Sequence, residues 1–72
     1  MKQGRLLSIA QARDFVEEVY DLRVPLRQMQ TAAYRRKLPF FIEPVTGHLH
    51  IDQAELMLAY QKKRNAAVRA SK

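Results

Sequence analysis

Ile9, Ala12, Val16 and Val19 recur at helical spacing, with Phe15 and Tyr20 flanking the stripe and Arg13, Asp14, Glu17 and Glu18 largely off it. This period predicts an amphipathic helix over about 9–20. Ser8 stands at its start with Gln11 three residues on, the spacing of a capping box, in which both side chains satisfy free N–H groups of the first turn. Arg5-Leu6-Leu7, just before, is a candidate short strand. Asp21 to Val24 breaks the helical period, and Pro25 suits the first turn of a new helix, where its missing N–H leaves nothing unpaired. From Leu26 to Arg36 most residues are fair helix formers, and Met29, Ala32, Ala33 and Arg36 mark one face. The small side chains there permit close approach to a neighbouring helix.

Leu38-Pro39 ends this second helix, because a residue before proline avoids the helical region. Phe40, Phe41 and Ile42 read as a strand, and three successive apolar residues on a strand cannot all face one side, so one aromatic is expected outside. EPVTGH supplies a turn with Gly47 free to take positive φ, and Leu49-His50-Ile51 is the return strand. Together they predict a β-hairpin with a loop of about four residues. Asp52 caps a last helix, with Glu55 at its third position, and Ile51 and Leu56 are spaced to meet across that cap as a hydrophobic staple. Leu56, Ala59 and Tyr60, joined by Met57, are expected to face the core. Beyond Gln61 the chain turns basic and loses its large apolar residues, which predicts a frayed end unless a partner orders it.

The order helix, tight turn, helix, hairpin, helix is that of a winged helix-turn-helix domain. The expected fold class is therefore α+β, with three helices and a two-stranded β-hairpin wing. The expected boundaries are 1–61 for the domain and 62–72 for a basic tail. At 72 residues the chain holds one small core. It has no cysteine, so neither disulfides nor a thiolate metal site can supplement that core. The N-terminal stretch carries no long apolar run, so neither a signal peptide nor a membrane span is expected, and the expected location is the cytoplasm.

Charge sharpens the reading because it is uneven. Residues 22–42 carry Arg23, Arg27, Arg35, Arg36 and Lys37 without an acid, and residues 53–72 set Lys62, Lys63, Arg64, Arg69 and Lys72 against Glu55 alone. Acids gather within residues 1–21, at Asp14, Glu17, Glu18 and Asp21, within an overall net charge of +6. A basic face opposite an acidic one suits a polyanion. With Met29, Ala32 and Ala33 inward, the second helix would present Arg27, Gln28, Gln30, Thr31, Tyr34 and Arg35. Arginine suits guanine edges and glutamine suits adenine edges, while threonine and tyrosine serve bases or phosphate. The candidate DNA-binding set is completed by Arg23, Lys37, and Thr46 and His48 at the hairpin tip. Tyr34 either reaches phosphate through its hydroxyl or packs on the first helix.

The run V-P-L-R-Q-M-Q-T-A-A-Y-R-R-K-L-P, residues 24–39, resembles the second helix of the excisionase and MerR-like winged-helix families. The matches fall at Val24, Met29, Ala32, Ala33, Leu38 and Pro39, and the hairpin and I-D-x-x-E-L, residues 51–56, continue them. Pro25 replaces the usual serine cap, Gln28 the usual threonine and Arg36 the usual glycine. What the resemblance implies is a protein of a phage or mobile element that binds repeated sites on double-stranded DNA cooperatively. Such proteins direct an integrase or other recombinase toward excision, and several regulate transcription. The absence of a long dimerisation helix favours the excisionase branch. Head-to-tail self-association on DNA is expected, since one copy offers a small footprint.

Other readings stay open. The polar face of the second helix is also what a solvated surface looks like, and the basic tail serves equally as a free end, a phosphate clamp or a docking segment. A protein-interaction module, such as a phage adaptor or inhibitor, would keep the fold and the charge without the DNA. No metal or cofactor is expected: His48 and His50 lie near no third ligand. No enzyme is expected either. Ser8 is claimed by a cap, Ser71 lies in the tail, the acids are scattered, and Gly4 and Gly47 form no phosphate loop.

Overall fold

The computed structural model of the chain describes residues 5–70. The elements run β1 (Leu6–Ser8), α1 (Ile9–Tyr20), α2 (Leu26–Tyr34), β2 (Phe41–Ile42), β3 (Leu49–Asp52) and α3 (Gln53–Ala70). The class is α+β, in an arrangement compatible with a small winged helix-turn-helix. It departs from expectation in the sheet, which has three antiparallel strands in the order β1-β3-β2. β1 pairs with β3 through Leu6–Asp52, Leu7–Ile51 and Ser8–His50, so the wing is rooted in the N-terminal strand rather than standing as a free hairpin. β2 pairs with β3 through Phe41–His50 and Ile42–Leu49, and Phe40 stands outside the strand.

Each helix begins much as its local sequence dictates. Ser8 and Gln11 form the capping box in full: the Gln11 N–H donates to Ser8 Oγ at 3.2 Å and the Ser8 N–H to Gln11 Oε1 at 3.0 Å. Asp52 Oδ1 accepts from the N–H groups of Ala54 at 2.9 Å and Glu55 at 3.4 Å. Pro25 sits one place earlier than expected, at the N-cap of α2, where its carbonyl accepts from the N–H groups of Gln28 and Met29. Between α1 and α2, Glu17 is not the free surface acid its pattern suggested, because its Oε2 accepts from the Val24 N–H at 2.8 Å and pins the turn.

The core is Leu7, Ala12, Val16, Met29, Ala33, Leu38, Phe40, Ile51 and Leu56. Ala12 and Ala33 are fully buried, and such small side chains let α1 and α2 meet closely. Of the three apolar residues before the wing, Phe40 goes inside while Phe41 and Ile42 are exposed. Three expected core positions are corrected. Val19 is 47% exposed, because the last turn of α1 is held by Tyr20, whose ring stacks on Tyr60 at a centroid distance of 4.1 Å. Met57 faces outward and leaves Ala59 and Tyr60 to pack beneath α3.

Arg36 is the third correction. α2 stops at Tyr34, and Arg36 turns left-handed at φ 57°, away from the core face. Its N–H donates to the Ala33 carbonyl and that of Lys37 to the Ala32 carbonyl, the bonds of a helix stop that ordinarily takes glycine. Left-handed backbone costs a side-chain-bearing residue about 1–2 kcal/mol. The Arg36 Nη1–H donated to the Phe40 carbonyl at 3.1 Å offsets part of this.

α3 also exceeds expectation. It runs unbroken through the anticipated boundary at residue 61 to Ala70, with every residue from Gln61 exposed. Its packed first half supplies the costly nucleus, and lysine, arginine, glutamine and alanine then propagate the helix at little cost. Ser71 and Lys72, the end of the expected tail, lie outside the described residues. No helix among the described residues is long and apolar enough to cross a membrane.

Leu56 is fully buried at the hinge of sheet and helix. Leu56→Ala is expected to lose about 2–5 kcal/mol, comparable to the whole stability of so small a core, and so to leave the chain largely unfolded. Urea denaturation followed by circular dichroism measures it; a loss below about 1 kcal/mol contradicts the central place given to this side chain.

Candidate nucleic-acid interface

At the helical period, burying Met29 and Ala33 throws Arg27, Gln28, Thr31 and Tyr34 onto the opposite side of α2 and leaves Gln30 on the flank. All are exposed except Thr31, which is half-buried. Tyr34 is 67% exposed and absent from the core, so it does not pack into α1. Gln28 is exposed. It shares a shallow groove with Arg27, Thr31, Ala32 and Lys37, and it also borders an apolar groove lined in part by Val24, Leu38 and Tyr60.

A second opening, of about 280 Å³, lies between the end of α2 and the wing. Tyr34 and Arg36 line one side, and Ile42, Gly47, His48 and Leu49 the other. The fold thus gathers Arg27, Gln28, Thr31 and Lys37 at one groove and joins Tyr34 to His48 at the next. Arg23, in the turn before α2, and Gln30, Arg35 and Thr46 line neither opening, though all four are exposed. Arg36 was missed as a surface residue. Its helical periodicity pointed inward, and only its left-handed φ carries it to the cleft. The one signal in the sequence was an arginine where the resembling families carry glycine.

Electrostatically this surface is unneutralised. Among the described residues the one ion pair joins Arg13 to Asp14, at 3.0 Å on α1. The side chains of Arg27, Arg35 and Lys37 therefore have no acidic partner there. No group of three or more His, Cys, Asp or Glu side chains among the described residues is placed to hold a metal ion. His50 Nδ1 lies 3.1 Å from the His48 carbonyl, a contact that requires the Nδ1–H tautomer to donate.

The wing loop is closed by Glu43. Its N–H donates to the His48 carbonyl at 2.9 Å, and its own carbonyl accepts from the Gly47 N–H at 2.8 Å. Its carboxylate accepts from the N–H groups of Val45 at 3.0 Å and Thr46 at 2.7 Å. Gly47, at φ 74°, takes the left-handed step that completes the turn.

No protein-family model, curated protein or solved structure matches the chain, so the site rests on its own geometry.

Hydrogen bonding from the Thr46 N–H, aided by Val45, holds the Glu43 carboxyl below its ordinary value of 4.5 against an opposing push from desolvation. A depressed carboxyl stabilises the fold above its unfolded pKa, and that contribution fades as pH falls through the lower folded value. In an NMR titration the Val45 and Thr46 amide protons are expected to move with a midpoint below 4.5, and Glu43→Gln to abolish the movement. A midpoint at or above that value counts against the loop geometry.

Proposed function

We propose that this chain binds double-stranded DNA, with α2 in the major groove and the β2–β3 wing against the adjacent backbone or minor groove. The observation that carries the reading is the cleft shared by Tyr34 and Arg36 with Gly47 and His48, which opens the end of α2 and the wing tip onto one side. A groove-reading helix needs outward polar side chains and a second element to hold phosphate. Arg27, Gln28 and Thr31 serve the first need, with Gln30 at the flank. Arg35, Lys37, Thr46 and His48 serve the second, and Arg23 extends the basic surface ahead of the helix.

Within that reading the chain acts as an excisionase-type protein. One unit of this size covers a short stretch of duplex, so useful discrimination calls for adjacent copies or a recombinase beside it. Head-to-tail contacts between copies on repeated sites, and an influence on transcription from the same DNA, belong to this proposal. The alternative, a protein-interaction module, is favoured by a different observation. The outer half of α3 is wholly exposed and carries Lys62, Lys63, Arg64 and Arg69, and Phe41 is exposed at the sheet edge.

Fluorescence anisotropy against a random duplex pool and against DNA flanking the gene, at two salt concentrations, separates the two. DNA binding predicts stepwise association with the flanking fragment and a fall in log affinity with log salt of about 0.9 per phosphate contacted. Arg27→Glu with Arg35→Glu is expected to weaken it by roughly 100-fold or more. Absence of binding to either duplex at low salt removes the DNA reading. Losses that follow Phe41→Ser or charge reversal in α3, with α2 indifferent, favour the protein partner.

A further inference from the structure

We propose that the apex of the wing, Pro44-Val45, is an apolar wedge that enters the minor groove and unstacks a base step. The inference rests on the DNA reading above and adds to it a residue that selects deformable sequence rather than reading base edges.

Val45 is 89% exposed, the most exposed of the large apolar side chains among the described residues, and contributes nothing to the core. It occupies a turn, where asparagine, aspartate, serine or glycine is locally favoured and a β-branched residue is not. Neither burial nor turn chemistry therefore explains a valine at this position. A residue that breaks a local rule without a structural return points to a binding role.

The apex is also held rigid. Val45 and Thr46 donate their N–H groups to the Glu43 carboxylate, Gly47 donates to the Glu43 carbonyl, and the His48 N–H donates to Thr46 Oγ1 at 3.3 Å. Pro44 adds a fixed φ. A wedge ordered in advance loses little conformational freedom on insertion. These bonds also bind the carboxylate of Glu43, the one acid of the hairpin loop, to loop N–H groups. Residues 44–48 carry no acid, so no carboxylate at the tip itself repels phosphate.

Position supplies the occupant. Gly47 and His48, two and three residues beyond Val45, line the cleft they share with Tyr34 and Arg36, so the loop that carries the apex borders the end of α2. A narrow hairpin tip with proline and a branched apolar side chain matches the minor-groove wedges that partly unstack a step and kink the duplex. Pyrimidine–purine steps unstack most readily, so the wedge imposes a preference for TA or CA beneath the wing without a base-edge hydrogen bond.

The test uses the whole chain and duplexes carrying 2-aminopurine in place of the adenine of a TA step moved through successive positions. 2-Aminopurine brightens when unstacked. The wild-type chain is expected to raise fluorescence at one register only. Val45→Ser is expected to lose that rise, to weaken binding by about tenfold, and to leave the circular dichroism unchanged, since the side chain is exposed. Val45→Leu is expected to keep the rise. A Val45→Ser protein that binds and brightens as the wild type does overturns the wedge while the DNA reading stands. An apex that serves a protein pocket gives that same result. Failure of the wild-type chain to bind any duplex by anisotropy overturns both.

Discussion

Ile51 and Leu56 are the largest side chains withdrawn completely from water, and they belong to one buried cluster on either side of the capping residue Asp52, at the spacing of a hydrophobic staple. That staple couples the central strand of the sheet to the start of α3. Because β3 pairs with β1 on one edge and β2 on the other, it fixes the N-terminus, the wing and the last helix together. The Gln53 N–H donated to the Arg5 carbonyl at 2.7 Å closes the same junction from the other side. In a chain without disulfides and with so little apolar volume, one dry contact of this kind decides whether separate short elements become a domain.

From that node the geometry of the surface follows. Leu7 pairs with Ile51, and the cluster they belong to takes Ala12 from α1 and Ala33 from α2, small side chains that permit close packing while the polar side of α2 stays outside. Glu17 holds the turn that sets the angle between the helices, and Arg36 supplies the left-handed step that redirects the chain toward the wing. The strain of that step falls at the meeting point of helix and hairpin. Sparsely populated backbone conformations persist where the surroundings over-determine them, often beside surfaces that bind. Here the hydrogen bond from Arg36 to the Phe40 carbonyl ties the strained residue to the strand entry.

Charge is distributed with no regard for this packing. None of the core residues is polar, and the cations of α2 and α3 are left without acidic neighbours among the described residues. Self-repulsion of that kind costs compact stability and is relieved by a polyanion. The extended half of α3 shows the same economy: its helix propagates from the packed first half, and its exposed surface carries Lys62, Lys63, Arg64 and Arg69.

Local chemistry was legible directly. The capping box at Ser8, the Asp52 cap and the glycine turn of the wing each depend on residues within a few positions of one another, and the structure has all three, with Ile51 and Leu56 both buried beside the Asp52 cap. The outward stripe of α2 was legible for the same reason, since helical period alone opposes it to Met29 and Ala33. What pattern could not determine were contacts between distant segments. β1 pairs with β3 across more than forty residues. Tyr20 stacks on Tyr60 while Val19 stays exposed, Glu17 accepts from the Val24 N–H seven residues further on, and Arg36 leaves its helical face because the chain must turn there. Periodicity reports which side of an element is apolar. Which neighbour covers that side, and where a helix must stop to let the next strand form, are decided only when the elements compete for one small core.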